Sequence, residues 1–188
     1  METENRHEAF KGLDYKSIID QLNEETREHS YSVSKICRAI SESVGLDPDL
    51  SEKIGLLHDI GKIYIPSRIL KKNGKLTSVE REVIDLHSYY GYRILKVHGE
   101  DPIVYIPVLF HHGFNKTRLF MEDEPISDGA INYTYLIHSV DIYDATMSKR
   151  SYHMPMSFEF VYKLLHEDPL CPDNVLQAIV KYENLSSL

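Results

Sequence analysis

Histidines and aspartates recur in this chain at positions from which a helical scaffold could gather them around metal ions. The set contains five of the ten histidines, together with two aspartates. Neutral imidazole and ionised carboxylate are usual protein ligands of iron, manganese and zinc. No cysteine belongs to the set, so metal-assisted hydrolysis fits it better than a structural zinc site does. The members are His29, His58, Asp59, His87, His111, His112 and Asp141.

The number of these ligands indicates more than one ion. Seven side chains exceed what a single ion needs while it keeps an open position for water. A carboxylate such as Asp59 can bridge two ions. Two ions roughly 3.5–4 Å apart can hold a bridging hydroxide and stabilise the attacking and leaving oxygens of a phosphoryl displacement. The pattern therefore predicts two or more divalent ions, with Asp59 as a catalytic ligand.

The first long helical pattern carries polar residues on its apolar face. From about Ser17 to Val44, apolar residues recur at steps of three and four, as in an amphipathic helix. Glu25 and His29 fill the one gap in this row, one turn apart on the same face. A lone histidine in such a row is usually a core residue with one good hydrogen bond. The recurrence of histidine in other predicted helices favours metal ligation.

Start and stop signals place the remaining helices. Asp47-Pro48 has the form of an N-cap followed by proline, and we expect Gly61 to end that helix just after His58-Asp59. Few stretches alternate as strands do, so we expect one all-α domain, a helical bundle, over residues 1–188. Further helices are predicted over about 67–70, 77–97 (with a capping box at Thr77), 101–112, 129–147, and a C-terminal pair within 157–184.

Composition limits the classes of function. The formal charge of −8 argues against binding a nucleic-acid polymer, but bound metal ions would still attract a small anion. Cys37 and Cys171 lie far apart without a CxxC pattern, which is typical of a reducing compartment. The polar N-terminus does not resemble a signal peptide, and no apolar run approaches the roughly 18 residues of a spanning helix. We therefore expect a cytoplasmic protein without a membrane partner.

An ordered series of motifs resembles the HD-domain phosphohydrolases. Residues 57–63, Leu-His-Asp-Ile-Gly-Lys-Ile, followed by Ile65-Pro66, resemble the signature of that superfamily. The similarity is greatest to the HD-GYP branch, bacterial phosphodiesterases that cleave cyclic di-GMP, and it covers about residues 24–165. The other matching positions are His29-Ser30, Ile69-Leu70, residues 74–77 with Glu80, His87 with Gly91, His111-His112, residues 141–145 and residues 150–152.

The resemblance implies an HD-type helical bundle around two or three divalent ions. Iron and manganese are the first expectations, and other divalent ions remain open. In members with three metals, a glutamate one turn before the first-helix histidine joins the site, and Glu25 occupies that place. The metal ligands expected by position are Glu25, His29, His58, Asp59, His87, His111, His112 and Asp141.

Two basic residues match the substrate side of the family pattern. Lys62 corresponds to the motif lysine near the scissile phosphate, which implies a catalytic and substrate-binding role. The alternative is an exposed lysine after a helix. Arg150 corresponds to an arginine that follows the last metal aspartate, which implies a contact with phosphate or base. A solvated arginine near a helix end is the alternative there.

The chain departs from the family pattern after the double histidine. No Gly-Tyr-Pro occurs anywhere, and Gly113 replaces the acidic residue expected directly after His112. Lys116 and Arg118, in a predicted loop over 114–128, either supply substitute phosphate contacts or are simply solvated. The metal ligands are kept while the substrate-side loop differs, so the departure bears on the substrate more than on the chemistry.

We therefore predict a metal-dependent phosphodiesterase acting on a small phosphorylated nucleotide. The first substrate is a cyclic dinucleotide, with cyclic di-GMP foremost, cleaved by a hydroxide that bridges the metals. One alternative is hydrolysis of another nucleotide or a phosphomonoester by the same centre. The other is a catalytically silent domain that binds a nucleotide or a protein. A homodimer and a separate regulatory protein both remain open as partners.

Overall fold

The chain folds into helices joined by short turns. The structure, a computed structural model, describes residues 14–114, 125–148 and 154–186, and within these ranges it contains no strand. The predicted all-α class is thereby confirmed. The α-helices are α1 Tyr15–Ile19, α2 Glu24–Ser41, α3 Pro48–Leu57, α4 Ser67–Leu70, α5 Ser78–Val97, α6 Pro102–Phe110, α7 Asp128–Met147, α8 Phe158–His166 and α9 Asp173–Ser186, with 3₁₀ helices at Glu42–Val44 and Ile60–Tyr64.

Side chains cap the helices where the sequence signals predicted. Asp47 accepts a hydrogen bond from the backbone N–H of Leu50, 2.7 Å away, at the start of α3. At the start of α5, Thr77 Oγ1 accepts from the Glu80 N–H at 3.2 Å, and Glu80 Oε2 accepts from the Thr77 N–H at 2.7 Å. These bonds satisfy N–H groups that have no partner within the first helical turn. The predicted starts of α3 and α5 are confirmed.

The prediction of one continuous helix from about Ser17 to Val44 is wrong. Asn23 interrupts it, because its side-chain oxygen accepts from the Thr26 N–H at 3.0 Å and starts α2 afresh. The apolar periodicity runs across this break because Ile18 and Leu22 are buried in the same core as the inner face of α2.

The expected role of Gly61 is also wrong. Helix α3 ends at Leu57, and Gly61 lies inside the following 3₁₀ helix without a positive φ. A Cβ atom at Gly61 would lie 2.0 Å from the carbonyl oxygen of His87. Glycine is therefore required here for the close approach of the 3₁₀ helix to α5, rather than for ending a helix.

The packing of the helices places the predicted ligands in one region. Helix α2 packs against α3 and α7, α5 packs against the 3₁₀ helix Ile60–Tyr64 and α6, and α6 packs against α7. Helices α8 and α9 pack on α7. Within the described ranges, no helix combines the length and the apolar character needed to cross a membrane.

Candidate metal centre

Five helices or helix ends deliver the predicted ligands to one place. Helix α2 carries His29, α5 carries His87 and α7 carries Asp141. The other four members of the initial histidine and aspartate set directly follow the last residues of α3 and α6; they are His58, Asp59, His111 and His112. His29, His58, Asp59, His87 and His111 are buried within the bundle.

Three buried histidines have the same orientation and protonation pattern. Each ring donates from Nδ1 to the backbone carbonyl three residues earlier. A carbonyl oxygen only accepts hydrogen bonds, so Nδ1 carries the proton and Nε2 presents a lone pair to the centre. The bonds are His58 to Gly55 at 2.7 Å, His87 to Ile84 at 2.6 Å and His111 to Val108 at 2.7 Å.

Burial keeps these three imidazoles neutral. Desolvation is the main cause that lowers the pKa of His58 and His111 below the usual value, and it lowers the pKa of His87 to about 3. A neutral imidazole with a free Nε2 lone pair is the form that binds a metal ion. The three side chains are therefore in the ligating state near neutral pH.

The lone pairs of these rings converge in a way that favours a cation. His87 Nε2 and His111 Nε2 lie 3.2 Å apart, although both are acceptors. Two nitrogens each about 2.1 Å from one ion, at roughly a right angle, would have this separation. His58 Nε2 is buried and has no hydrogen-bond partner among the described residues. The donor set therefore fits a divalent cation.

The ligands form two groups. Within each group, ligand atoms of three side chains lie within 4.8 Å of one another, close enough to surround one ion. We name them the α5–α6 group and the α2–α3 group after the helices that carry them. The α5–α6 group is His87, His111 and His112, and the α2–α3 group is His29, His58 and Asp59.

Asp59 stands between the two groups. Its Oδ1 lies 3.3 Å from His87 Nε2, and its Oδ2 lies 3.4 Å from His58 Nε2 and 3.9 Å from His29 Nε2. Burial alone would raise the pKa of Asp59, but Lys62 and the histidines outweigh it and hold the pKa well below its usual range. An ionised carboxylate with one oxygen toward each group suits a bridging ligand.

Asp141 lies between the same groups, nearer to solvent. Its Oδ1 is 2.9 Å from His29 Nε2 and 3.9 Å from His58 Nε2, whereas its Oδ2 is 4.0 Å from His112 Nδ1. The His112 side chain is 44% exposed, so this edge of the centre is open to a ligand from solvent. The structure thus brings together all seven residues of the initial histidine and aspartate set.

Asp144 is a site residue that the sequence analysis did not identify. Its Oδ2 accepts from His29 Nδ1 at 2.6 Å, and its Oδ1 accepts from the hydroxyls of Ser32 and, at 3.3 Å, Ser148. Burial would lower the pKa of His29, but the bonds to Asp141 and Asp144 outweigh it and raise the pKa to about 9. The same negative charge would favour a cation at Nε2. The available signal was the spacing of Asp144, one helical turn after Asp141.

Replacing Asp144 with asparagine is expected to weaken metal binding roughly tenfold while the fold is retained. Asparagine keeps the shape and one acceptor, but it removes the charge that orients and polarises the His29 ring. Titration of the metal-free protein with Mn²⁺ measures the change. Asp128→Asn, at the exposed start of the same helix, is the control and should bind as wild type does. Unchanged affinity in Asp144→Asn would contradict this role.

His138 braces the double-histidine turn, another contact that the sequence analysis did not identify. Its Nδ1 donates to the backbone carbonyl of His111 at 2.6 Å, and its Nε2 lies 3.0 Å from Asp168 Oδ2. The ring therefore links α7, the end of α6 and the segment after α8.

The remaining predicted residues lie around a cavity or outside the described residues. Glu25 is half-buried and, together with His29 and Lys62, lines a cavity of about 800 Å³. It belongs to neither ligand group, and its binding of a third ion stays a prediction. Arg150, Lys116 and Arg118 lie outside the residues that the structure describes.

Comparison with known proteins identifies the family and the fold. The family model described as "HD domain" matches residues 26–157. The HD domain of the phosphodiesterase PgpH from L. monocytogenes has a similar fold, with a TM-score of 0.55 at 16% identity. That superposition covers 90% of this chain and 85% of the other.

Two curated relatives are bacterial phosphodiesterases. The chain is 31% identical over 195 aligned residues to "Cyclic di-GMP phosphodiesterase" from Thermotoga maritima, which covers 96% of this chain and 51% of the relative. It is 28% identical over 162 residues to "3'3'-cGAMP-specific phosphodiesterase 1" from Vibrio cholerae, which covers 82% of this chain and 36% of the relative. The chain thus spans about half or less of the length of these relatives.

Proposed function

Because this chain belongs to the HD-domain phosphohydrolases, we propose that it hydrolyses a phosphodiester bond of a cyclic dinucleotide, with cyclic di-GMP as the first candidate. The observation that carries the proposal is the position of Asp59, with one carboxylate oxygen toward each of the two ligand groups. The names of the two phosphodiesterase relatives support the substrate class. They also make 3'3'-cGAMP a second candidate substrate within the same class.

The proposed ligands would form one binding site for each of two ions. The α5–α6 group would hold one ion and the α2–α3 group the other, while Asp59 and Asp141 would contribute to both. Divalent ions bound there would lower the pKa of a coordinated water and neutralise charge on the phosphoryl oxygens. Iron and manganese are the proposed metals, and Glu25 is the proposed additional ligand of a third ion.

Lys62 is proposed to assist at the scissile phosphate. Its ammonium donates to Asp59 Oδ2 at 2.5 Å, and its side chain, 18% exposed, also lines the cavity beside the centre. A cation in this position would offset negative charge that develops on the phosphoryl oxygens. It would also hold the Asp59 carboxylate in its orientation. Arg150 remains a proposed contact for phosphate or base.

A second candidate function is hydrolysis of another nucleotide or a phosphomonoester by the same centre. It is favoured by Gly113, which stands where the family pattern has an acidic residue, and by the absence of Gly-Tyr-Pro. A catalytically silent domain that binds a nucleotide or a protein is the third alternative.

Wild-type protein reconstituted anaerobically with Fe²⁺ or Mn²⁺ is expected to hydrolyse cyclic di-GMP to products that chromatography separates from the substrate. The same assay with 3'3'-cGAMP, mononucleotides and phosphomonoesters compares the candidates. Products from mononucleotides but none from cyclic dinucleotides would decide for the second function. Tight nucleotide binding without products, in a sample proven to hold metal, would contradict the proposal and favour a binding role.

A further inference from the structure

The cavity beside the metal centre is larger than a scissile phosphate requires. It measures about 800 Å³ and reaches the centre on the side of His29 and Lys62. Cavities of roughly 300–1,000 Å³ are typical of sites that enclose an organic ligand. Residues 72–76, which we call the 72–76 turn, lie between α4 and α5 and form one wall of the cavity. The cavity therefore has room for parts of a substrate that lie away from the metals.

Glu80 holds the 72–76 turn in place. Its Oε2 accepts from Lys72 Nζ at 2.5 Å and from the backbone N–H of Thr77 at 2.7 Å. The hydrogen bond from Lys72 is the largest cause that lowers the pKa of Glu80, to about 2. The carboxylate is thus ionised and offsets the charge of Lys72, so the wall has a defined shape without a net charge at that point.

Lys75 lies on the same wall as Lys72, but its positive charge is not offset in the same way. It is exposed, lines the cavity and makes no ion pair with any residue in the described part of the chain. An ammonium on a flexible stem binds phosphate as a point charge. Apolar side chains of Ile69, Leu76 and Ile84 line the cavity beside it, and the Asn73 amide adds a hydrogen-bonding group. The cavity thus combines a cation with an apolar surface.

We propose that this cavity is a second substrate subsite, in which Lys75 pairs with a phosphate that is not cleaved. The apolar side chains of Ile69, Leu76 and Ile84 would pack against a nucleobase of the same substrate. This assignment rests on the proposed function and narrows it to substrates with two phosphates. A dinucleotide would engage both the metal centre and Lys75, whereas a substrate with a single phosphate would engage only one of them.

Kinetics of two lysine variants on two substrates test the subsite. Lys75→Gln removes the charge, and Lys71→Gln is the matched control, since Lys71 is exposed in the same turn region and does not line the cavity. The substrates are cyclic di-GMP and bis(p-nitrophenyl) phosphate, which has one phosphodiester and no nucleobase. For cyclic di-GMP, Lys75→Gln is expected to raise KM roughly tenfold at unchanged kcat. With bis(p-nitrophenyl) phosphate, Lys75→Gln should have the kcat and KM of wild type. Lys71→Gln should have the wild-type values with both substrates.

The possible outcomes are distinct. A KM of Lys75→Gln for cyclic di-GMP equal to that of wild type would overturn the subsite but leave the proposed function intact. An equal loss on both substrates would also overturn it, because the defect would then lie in the metal centre or the fold. Failure of wild type to cleave either cyclic di-GMP or 3'3'-cGAMP while it cleaves bis(p-nitrophenyl) phosphate would overturn the proposed function and, with it, this assignment.

Discussion

Asp59→Asn is expected to reduce phosphodiester hydrolysis by roughly 10²–10³-fold and to lower the amount of bound metal. Removal of one group that stabilises transition-state charge typically has an effect of this size. Asparagine preserves the side-chain volume, but a neutral amide is a poor ligand and cannot present a charged oxygen to each of the two groups. The change should therefore affect both ions, because Asp59 lies within 3.4 Å of ligand nitrogens in both groups.

The measurements are kcat/KM on cyclic di-GMP and on bis(p-nitrophenyl) phosphate, together with elemental analysis of the purified protein. Asp49→Asn provides the control, since the Asp49 side chain is 85% exposed at the start of α3, the helix that leads to Asp59. It should hydrolyse and bind metal as wild type does. Full hydrolysis by Asp59→Asn would refute the bridging role and the proposed chemistry together.

Gly61→Ala is expected to destabilise the protein by about 3 kcal/mol or more, independently of any catalytic role. The new Cβ would lie 2.0 Å from the His87 carbonyl oxygen and 2.4 Å from the Gly91 backbone nitrogen. Both atoms belong to the backbone of α5, so no side-chain rotation can relieve the contact. The expected loss of stability is therefore at the upper end of the range for substitutions that overpack a protein interior. In a chain of this size, such a loss lowers Tm by roughly 6–12 °C.

Thermal denaturation followed by circular dichroism measures this effect. Gly129→Ala in α7 is the matched control, because its Cβ would meet only ordinary contacts, with Ile103 Cδ1 at 3.4 Å as the nearest atom. Alanine is also the better helix former, so Gly129→Ala should be neutral or slightly stabilising. A Gly61→Ala protein with the Tm of wild type would show that the 3₁₀ helix can move away from α5 without cost.

Most of the fold was predictable because its signals are local. The capping side chains of Asp47 and Thr77 accept hydrogen bonds from N–H groups three residues later, so the helix starts can be predicted from the sequence. The predictions of the fold failed where contacts between residues distant in the sequence determined the local structure. Gly61 looked like a helix terminator, yet glycine is required there because the backbone of α5 at His87 and Gly91, more than twenty residues later in the chain, lies too close for a Cβ atom.

The candidate ligands were predictable for a related reason. Histidines in apolar rows, such as His29 and His87, are recognisable from residue type and helical spacing alone. Their chemical state was not predictable in that way, because it depends on hydrogen bonds and burial. The Nδ1–H bond to a backbone carbonyl and the buried Nε2 lone pair of His58 are properties of the packed structure.

The sequence by itself determined which side chains can bind metal, which helices carry them and which family the motifs resemble. Only the tertiary structure decided how these side chains are arranged. It placed Asp59 between the two ligand groups, brought Asp144 to His29 across 115 positions of the chain and put Lys75 in the lining of a cavity that His29 also lines. Contacts of this range depend on how α2, α5 and α7 pack together, and helix packing follows from the shape of whole surfaces rather than from any local pattern.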